Sequence, residues 1–353
     1  MSQVQDRKIK KIVTLAGDGI GPEIMASALE VLAAASQGRF DYQIEPLYFG
    51  GASIDRFGQP LTSETLQACQ QSDAILLGAI GGPKWEQAKG SPESGLLALR
   101  QALKLYANLR PTTMHDFLAE QSPLKADRVR GADFLIVREL LGGLYFGQPK
   151  LFNQDQAVDT MNYSRGQIEQ IVRLAFELAM TRRKKLTSVD KANVLANSKL
   201  WRQIVREISP EYPSVAVEHL YVDAAAMKLI MNATDFDVIV TENLFGDILS
   251  DEASVITGSL GLLASASLSL DGPHLYEPIH GSAPDIAGLN MANPVSMILS
   301  VSMMLKQSFG EEDLAAKIEQ ATFETIAATG GTRDLGGDLT TSEFTQAVIK
   351  RLE

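Results

Sequence analysis

The amino-acid sequence predicts an α/β protein, and three observations carry the prediction. Apolar runs of strand length alternate with longer segments of helical period. An apolar fraction of 45% and a charged fraction of 21% are those of a globular chain that buries a core. The 353 residues give room for two domains of ordinary size or one large one.

In order along the chain, IVTLAG (Ile12 to Gly17) reads as a strand ending in a glycine-rich turn. PEIMASALEVLAAA follows as an amphipathic helix with Pro22 at its first position. QIEPLYF is a strand, a helix runs from Thr62, and AILLGAI (Ala74 to Ile80) is a strand again. SGLLALRQALKLY predicts a helix and ANLRPTT a strand after it. A second series opens near Leu109, with FLIVREL (Phe134 to Leu140) as a strand. LLGGLYFGQPKLFNQDQAVDTMNYS has no helical period and predicts a protruding hairpin arm. Residues 165–184 predict a helix rich in Arg and Lys at its C-terminal end, as the helix dipole favours. KLTSVDKANV, SVAVEHL and FDVIVTEN read as strands with helices between and after them. From Gly258 the chain is expected to return to glycine-rich loops and then to form three C-terminal helices. With no internal repeat, low-complexity tract or disordered linker, the domains are expected to interleave.

The 43 acidic side chains outnumber the 32 basic ones, for a formal net charge of −11. Such a chain is poorly suited to nucleic acid or an anionic membrane, and a small anionic substrate must be met by a local cluster of cations. Cys69, the one cysteine, lies in LTSETLQACQQ and reads as a small core residue rather than a reactive thiol. MSQVQDRKIKKIVTLAGDG has too few apolar residues after its basic ones for a signal peptide. MILSVSMML, from Met297, is interrupted by Ser300 and Ser302 and reads as a buried helix, not a membrane span. These readings point to the cytoplasm.

GDGIGPE (Gly17 to Glu23) lies where a dinucleotide fingerprint would be sought. Pro22 stands three residues beyond Gly19 where that fingerprint needs glycine, and Asp18 puts a negative charge where a pyrophosphate would lie. The turn is therefore not a Rossmann loop, and tight strand–helix geometry explains it as well as a ligand contact does.

Arg100, Arg110 and Arg138 carry planar guanidinium forks suited to carboxylates. Arg138 follows four apolar residues, and an arginine at the end of a buried strand demands an anionic partner. Singly, each is more often a salt-bridge residue, and spacing does not bring them together. In NLFGDILSDEAS, Asp247 and Asp251 stand at i and i+4 on one helix face, where they repel unless a divalent cation is near. Carboxylate and water oxygens suit Mg²⁺ or Mn²⁺. A solvated acidic face is the plainer alternative; Ile248, Leu249 and the apolar strand before them favour a half-buried site. Asp223, in YVDAAAM, is a candidate third ligand. Lys191 ends a strand in KLTSVDKANVLANS, where ligands gather in open α/β sheets, and is a candidate base. Tyr145, in LLGGLYFGQP, is a candidate phenolic proton donor. The small residues of EPIHGSAPDIAGLNMANP (Glu277 to Pro294) admit a ligand close to the backbone, and Asp285 is suited to a ribose diol.

In their order, GDGIGPE, GGPKW, RELLGGLYFGQP, TSVDKANVL, NLFGDILSDEAS, HGSAPDIAG and TRDLGGDLTT resemble the β-decarboxylating dehydrogenase family nearly from end to end. The resemblance implies an α/β, two-domain isopropylmalate/isocitrate dehydrogenase-like fold with a non-Rossmann cofactor site. Residues 1–106 and 259–353 would form the cofactor-side domain. Residues 107–258 would form the substrate and dimerisation domain, with its arm near 150–163. A homodimer with shared active sites is implied.

By matching motif, Arg100, Arg110 and Arg138 would hold the malate carboxylates. Asp247 and Asp251, with Asp223 of the partner subunit, would bind Mg²⁺ or Mn²⁺ and the C2 oxygen of the substrate. Lys191 of the partner subunit would be the base for the C2 hydroxyl, and Tyr145 would protonate the enolate left by CO₂. NAD would lie along Ile20, Gly81, Gly82, His280, Gly281, Ser282, Ala283, Pro284, Asp285, Ile286 and Asn293, with Asp285 on the ribose hydroxyls.

Substrate choice within the family falls to SPESGLLALR. Members that act on isocitrate carry polar residues there, typically Ser and Asn, for the extra carboxylate. Leu96 and Leu97, one turn before Arg100, instead offer an apolar wall, and Glu93 adds a repelling charge. Leucines facing the core explain the same pattern but not Glu93. The substrate so implied is 3-isopropylmalate, oxidised and decarboxylated to 4-methyl-2-oxopentanoate in leucine biosynthesis. D-malate, tartrate and homoisocitrate are the alternatives; a non-catalytic regulatory subunit is another, disfavoured by the complete Lys, Tyr, Arg and Asp set. Leu141 stands where Thr commonly precedes the GG pair, Ala264 replaces a common Pro and is expected to loosen a loop near the cofactor, and Asn197 and Arg333 are further departures.

Overall fold

The computed structural model describes residues 9–86, 88 and 90–353. Residues 1–8, which enter the reading of the N-terminus as no signal peptide, lie outside the described residues. The chain divides into two compact units, Met1–Lys104 with Gly261–Glu353 and Leu105–Leu260. The second unit thus starts two residues before, and ends two residues after, the limits expected for its domain.

The first unit opens with β1 (Lys10–Gly17), α1 (Gly21–Ala35), β2 (Tyr42–Leu47), α2 (Gly51–Phe57), α3 (Ser63–Gln70), β3 (Ala74–Ala79) and α4 (Pro92–Ala102). Thr62 caps α3 by accepting from the Thr65 amide, and Ser91 caps α4 by accepting from the Ser94 amide.

The second unit contains β4 (Leu105–Thr113), α5 (Ala126–Val129), β5 (Asp133–Glu139), β6 (Leu151–Phe152), β7 (Ala157–Val158), α6 (Arg165–Met180), β8 (Lys185–Asp190), α7 (Ala196–Ile208), β9 (Ala216–Tyr221), α8 (Val222–Met231), β10 (Val238–Thr241) and α9 (Asn243–Ser254). Its strands run in the order β4-β5-β10-β8-β9, parallel except for the β4–β5 pair. Helices α6 and α7 pack together, as do α8 and α9. Ile136, Val137, Ile168, Phe176, Ile204 and Leu249 are fully buried in this core. β6 and β7 pair as a short antiparallel hairpin.

The first unit resumes with β11 (Ala264–Ser269), β12 (His274–Pro278), α10 (Val295–Phe309), α11 (Glu312–Thr329) and α12 (Thr341–Leu352). Its strand order is β2-β1-β3-β12-β11, with only the β11–β12 pair antiparallel. α10 is buried along most of its length, and its serines are satisfied: Ser300 donates to the Ser296 carbonyl, and Ser302 to Glu319. Among the described residues no helix is long and apolar enough to cross a membrane. Cys69 is buried in the core, and burial pushes its thiol up to about 12, which keeps it unreactive.

Four local expectations are corrected. The helix of SGLLALRQALKLY ends at Ala102, because Lys104 turns the backbone to a φ of 51° and Leu105 already belongs to β4. The helix at 165–184 ends at Met180, so Arg182, Arg183 and Lys184 lie beyond its last turn. The stretch after Gly258 is not loop throughout but holds β11 and β12. Ala264 lies in no loosened loop: it is buried at the start of β11, in register with Pro278. α2 was not expected at all.

Candidate active site

In the second unit the site grows from strand register. Asn108 faces Arg138 and Arg110 faces Ile136 across β4 and β5, so Asn108, Arg110 and Arg138 share one face of the sheet. α9 packs against that face. Glu242 caps α9 by accepting from the Phe245 amide, which sets where the helix starts. Asp247 and Asp251 then fall one turn apart above the two arginines.

Each arginine meets a carboxylate. Arg138 is almost wholly buried; its Nη1 donates to Asp247 Oδ1 at 2.5 Å, while Nε and Nη2 donate to the Asn243 side-chain oxygen at 3.1 and 2.8 Å. Arg110 donates from Nε to Asn108 (2.7 Å) and from Nη1 to Ser250 (2.6 Å) and Asp251 (3.3 Å), and its Nη2 lies 3.5 Å from Asp247. The Tyr145 hydroxyl donates to the other oxygen of Asp247 at 2.8 Å, and its ring centroid is 5.7 Å from the Arg138 guanidinium. Loss of surrounding solvent pushes the Asp251 carboxyl up, Asp247 adds to this, and Arg110 opposes it. Leu249 faces the core and Ile248 faces solvent, so only one of the two flanking apolar residues shelters the pair.

Lys191 and Asp223 form a separate pair. Lys191 follows β8, Asp223 lies in the first turn of α8, and Nζ stands 2.6 Å from Oδ1. The ammonium beside it draws the Asp223 carboxyl below its ordinary value. Asp190 accepts from the Ala192 amide and from two nitrogens of Arg202, whose guanidinium lies 4.8 Å from the Tyr221 centroid; the Lys191 ammonium lies 5.9 Å from the same ring. Among the described residues no group of three or more Asp, Glu, His or Cys side chains is close enough to hold a metal ion. Asp223 is therefore not brought to Asp247 and Asp251 within one chain.

In the first unit, Arg100 lies four residues after Leu96 and three after Leu97 on α4, so all three share a face, with both leucines half-buried. Arg100 pairs at 3.1 Å with Glu277 of β12, both buried, and its Nε has no hydrogen-bond partner among the described residues. Glu93 is exposed; its carboxyl leans over Gly81, where a Cβ would stand 2.6 Å from Oε1.

The expected cofactor segments meet here. The Ile20 amide donates to the Ser282 carbonyl at 2.8 Å, and the Ser282 hydroxyl donates to the Gly81 carbonyl at 2.7 Å. Ala283 is held at a φ of 38°, a strained value for a residue with a Cβ. Asp285 is exposed. Asn293 donates to Asp334 and accepts from the Val295 amide, so its amide group is structural. His280 Nε2 is sealed from solvent with no hydrogen-bond partner among the described residues, and burial pulls the ring pKa down. Such a buried polar atom calls for a partner that the described residues do not supply.

Sequence reasoning missed Glu277 and Asn243, the side chains that anchor Arg100 and Arg138. A carboxylate inside HLYEP and an amide opening NLFGD were the available signals.

Arg110, Arg138, Tyr145, Asp247 and Asp251 thus form a candidate site of guanidinium, phenol and carboxylate groups within the second, α/β unit. The model of the isocitrate/isopropylmalate dehydrogenases matches residues 11–348, and the chain belongs to that family. It is 60% identical over 344 residues to a 3-isopropylmalate dehydrogenase of Listeria innocua, covering 97% of this chain and 98% of that one. It is 58% identical over 342 residues to the 3-isopropylmalate dehydrogenase of Staphylococcus aureus, with 97% and 98% covered. Among solved structures, an isocitrate dehydrogenase from Methylococcus capsulatus superposes with a TM-score of 0.88 at 36% identity, covering 98% of this chain and 99% of that one. A β-decarboxylating dehydrogenase from Thermococcus kodakarensis gives 0.81 at 37% identity, with 98% and 96% covered.

Proposed function

We propose that this chain oxidises and decarboxylates 3-isopropylmalate in leucine biosynthesis, using NAD and bound Mg²⁺ or Mn²⁺, in the cytoplasm. The observation that carries the reading is the cluster in which Arg110, Arg138 and Tyr145 converge on Asp247 and Asp251.

The donor set fits a hard divalent cation: two carboxylates one helical turn apart, with open solvent for water ligands. The third carboxylate is Asp223 of the partner subunit. A second copy is favoured because a single chain leaves Asp223 apart, and because α8, α9 and the turn after α9 expose Met227, Met231, Ile248 and Val255. Phe152, at the hairpin, is 91% exposed, more than an apolar ring on a lone chain warrants. The second unit is thus the dimerisation domain and the first the cofactor side.

When bound, NAD would supply a hydride acceptor for C2, and a divalent cation held by Asp247, Asp251 and Asp223 of the partner subunit would supply Lewis-acid polarisation of the C2 oxygen. Arg100, Arg110 and Arg138 hold the malate carboxylates. Lys191 of the partner subunit takes the C2 hydroxyl proton at Nζ, and the Tyr145 hydroxyl returns a proton to the carbon that loses CO₂. Asp285 accepts from the ribose hydroxyls and disfavours a 2′-phosphate. Leu96 and Leu97 line the isopropyl group.

Initial rates of NAD reduction with 3-isopropylmalate, D-malate and isocitrate test the reading. We expect kcat/KM for 3-isopropylmalate to exceed that for isocitrate by about 100-fold or more, since a carboxylate against the leucines loses water without a partner. Equal or greater efficiency with isocitrate would overturn the substrate.

A further inference from the structure

The GDGIGPE turn has so far been given no chemistry beyond the Ile20 contact, yet its two acidic side chains reach three distant parts of the first unit. Asp18 is 4% exposed, and its carboxylate accepts three backbone amides: Gly51 at 2.9 Å, Ala52 at 2.7 Å and Gly81 at 2.9 Å. The carbonyl of Gly81 accepts from the Ser282 hydroxyl, and the carbonyl of Ser282 accepts from the amide of Ile20. The path leaves the turn at Asp18 and returns to it two residues later, closing a ring through both expected cofactor segments. Gly19 makes the closure possible: at a φ of 54°, a Cβ there would stand 2.0 Å from the Ser282 carbonyl oxygen.

Glu23, one turn further along α1, grips the other end of the same loop. Its Oε1 accepts from the Gly288 amide at 3.3 Å and its Oε2 from the Asn290 amide at 3.2 Å. Between the two clamps lie Ala283, in its strained left-handed conformation, and the exposed Asp285. A strained residue keeps its conformation only when its surroundings over-determine it.

We propose that Asp18 and Glu23 are positioning residues that hold loop 280–290 in its NAD-binding shape without touching NAD. The proposal rests on the NAD reading above. Asp18 fixes the loop through Gly81 and Ser282, and Glu23 fixes it directly at Gly288 and Asn290. The motif thus replaces the glycine-rich phosphate turn with a carboxylate latch on a loop contributed by the far end of the chain.

The test measures NAD affinity by titration calorimetry, together with steady-state constants and thermal midpoints. The proteins are the wild type, Asp18→Asn, Ser282→Ala, the double variant and Glu23→Gln. Asp18→Asn and Glu23→Gln should each raise the Kd and KM for NAD about tenfold, with kcat at saturating NAD and the KM for the acid within about twofold; Ser282→Ala, in the cofactor segment itself, should raise the Kd for NAD. The double variant should bind NAD no more than about twofold worse than the weaker single variant, because both act through one ring. Unchanged NAD affinity overturns the proposal, as does a fall in kcat with NAD affinity intact, or fully multiplicative losses in the double variant. Glu23 is only half-buried, so Glu23→Gln keeps the test open if Asp18→Asn does not fold. Wild-type protein that binds no NAD would refute the cofactor reading itself, a result distinct from variants that bind as well as wild type.

Discussion

Arg138 and Glu139 are neighbours in β5 and are buried on opposite sides of it. Arg138 is held by Asn243 and Asp247. A buried cation so bonded is costly to unpair, by roughly 3–5 kcal/mol when one partner is removed. Glu139 accepts from the amides of Leu141 and Gly142, and lies beside Tyr163, whose hydroxyl donates to Glu242. Burial pushes the Glu139 carboxyl from 4.5 up to about 7. Between those two values the folded chain holds a proton that the unfolded chain has released. Stability therefore falls as pH rises through that window, and levels off above about 7. The gap corresponds to roughly 3 kcal/mol. Glu139→Gln keeps the shape and removes the titration, so urea unfolding across this window should fall more steeply with pH in the wild type than in the variant. Parallel stability curves would contradict this account of Glu139. None of this network was legible in RELLGG, because a lone Glu after an arginine gives no sign of which side of the strand is dry.

At the scale of elements, the crossing of α9 over β5 depends on Gly246. A Cβ there would stand 2.7 Å from Arg138 Cγ and 2.9 Å from its Cβ. An ordinary helical Gly→Ala change stabilises by up to about 1 kcal/mol. Here overpacking should win, costing about 1–3 kcal/mol and displacing Arg138. Thermal unfolding of Gly246→Ala and its KM for the acid check this: a lower midpoint with a raised KM is expected, and a stabilised protein with unchanged KM would refute it. Elements with strong apolar runs, such as β3, β5 and β10, were legible because their interiors read continuously. β11 and β12 were not: ASASLS buries serines and alanines, and HLYEP is short and carries a glutamate, so neither shows a strand pattern. The ends of α4 and α6 were missed because Lys104 and Lys184 take positive φ without glycine to announce it.

For the whole molecule, the interleaved chain order was legible from the absence of a linker, while the candidate site residues were brought together only by the family resemblance. What the sequence withheld was partnership: that Arg100 rests on Glu277, and that Lys191 and Asp223 pair with each other rather than with Asp247. That separation makes the proposed sharing of sites between subunits testable. Lys191→Ala and Asp247→Ala subunits, each inactive alone, should regain part of the wild-type rate when mixed and exchanged, because each hybrid has one site with neither substitution. No recovery after demonstrated exchange would place all the groups in one chain.

The most direct measurement follows NADH and CO₂ together from 3-isopropylmalate with Mg²⁺, before and after chelation by EDTA, in wild type and in Lys191→Ala. The account predicts equal amounts of NADH and CO₂, loss of both with EDTA, recovery on adding Mg²⁺, and no turnover in the variant. NADH formed without CO₂, or turnover that survives chelation, would contradict it.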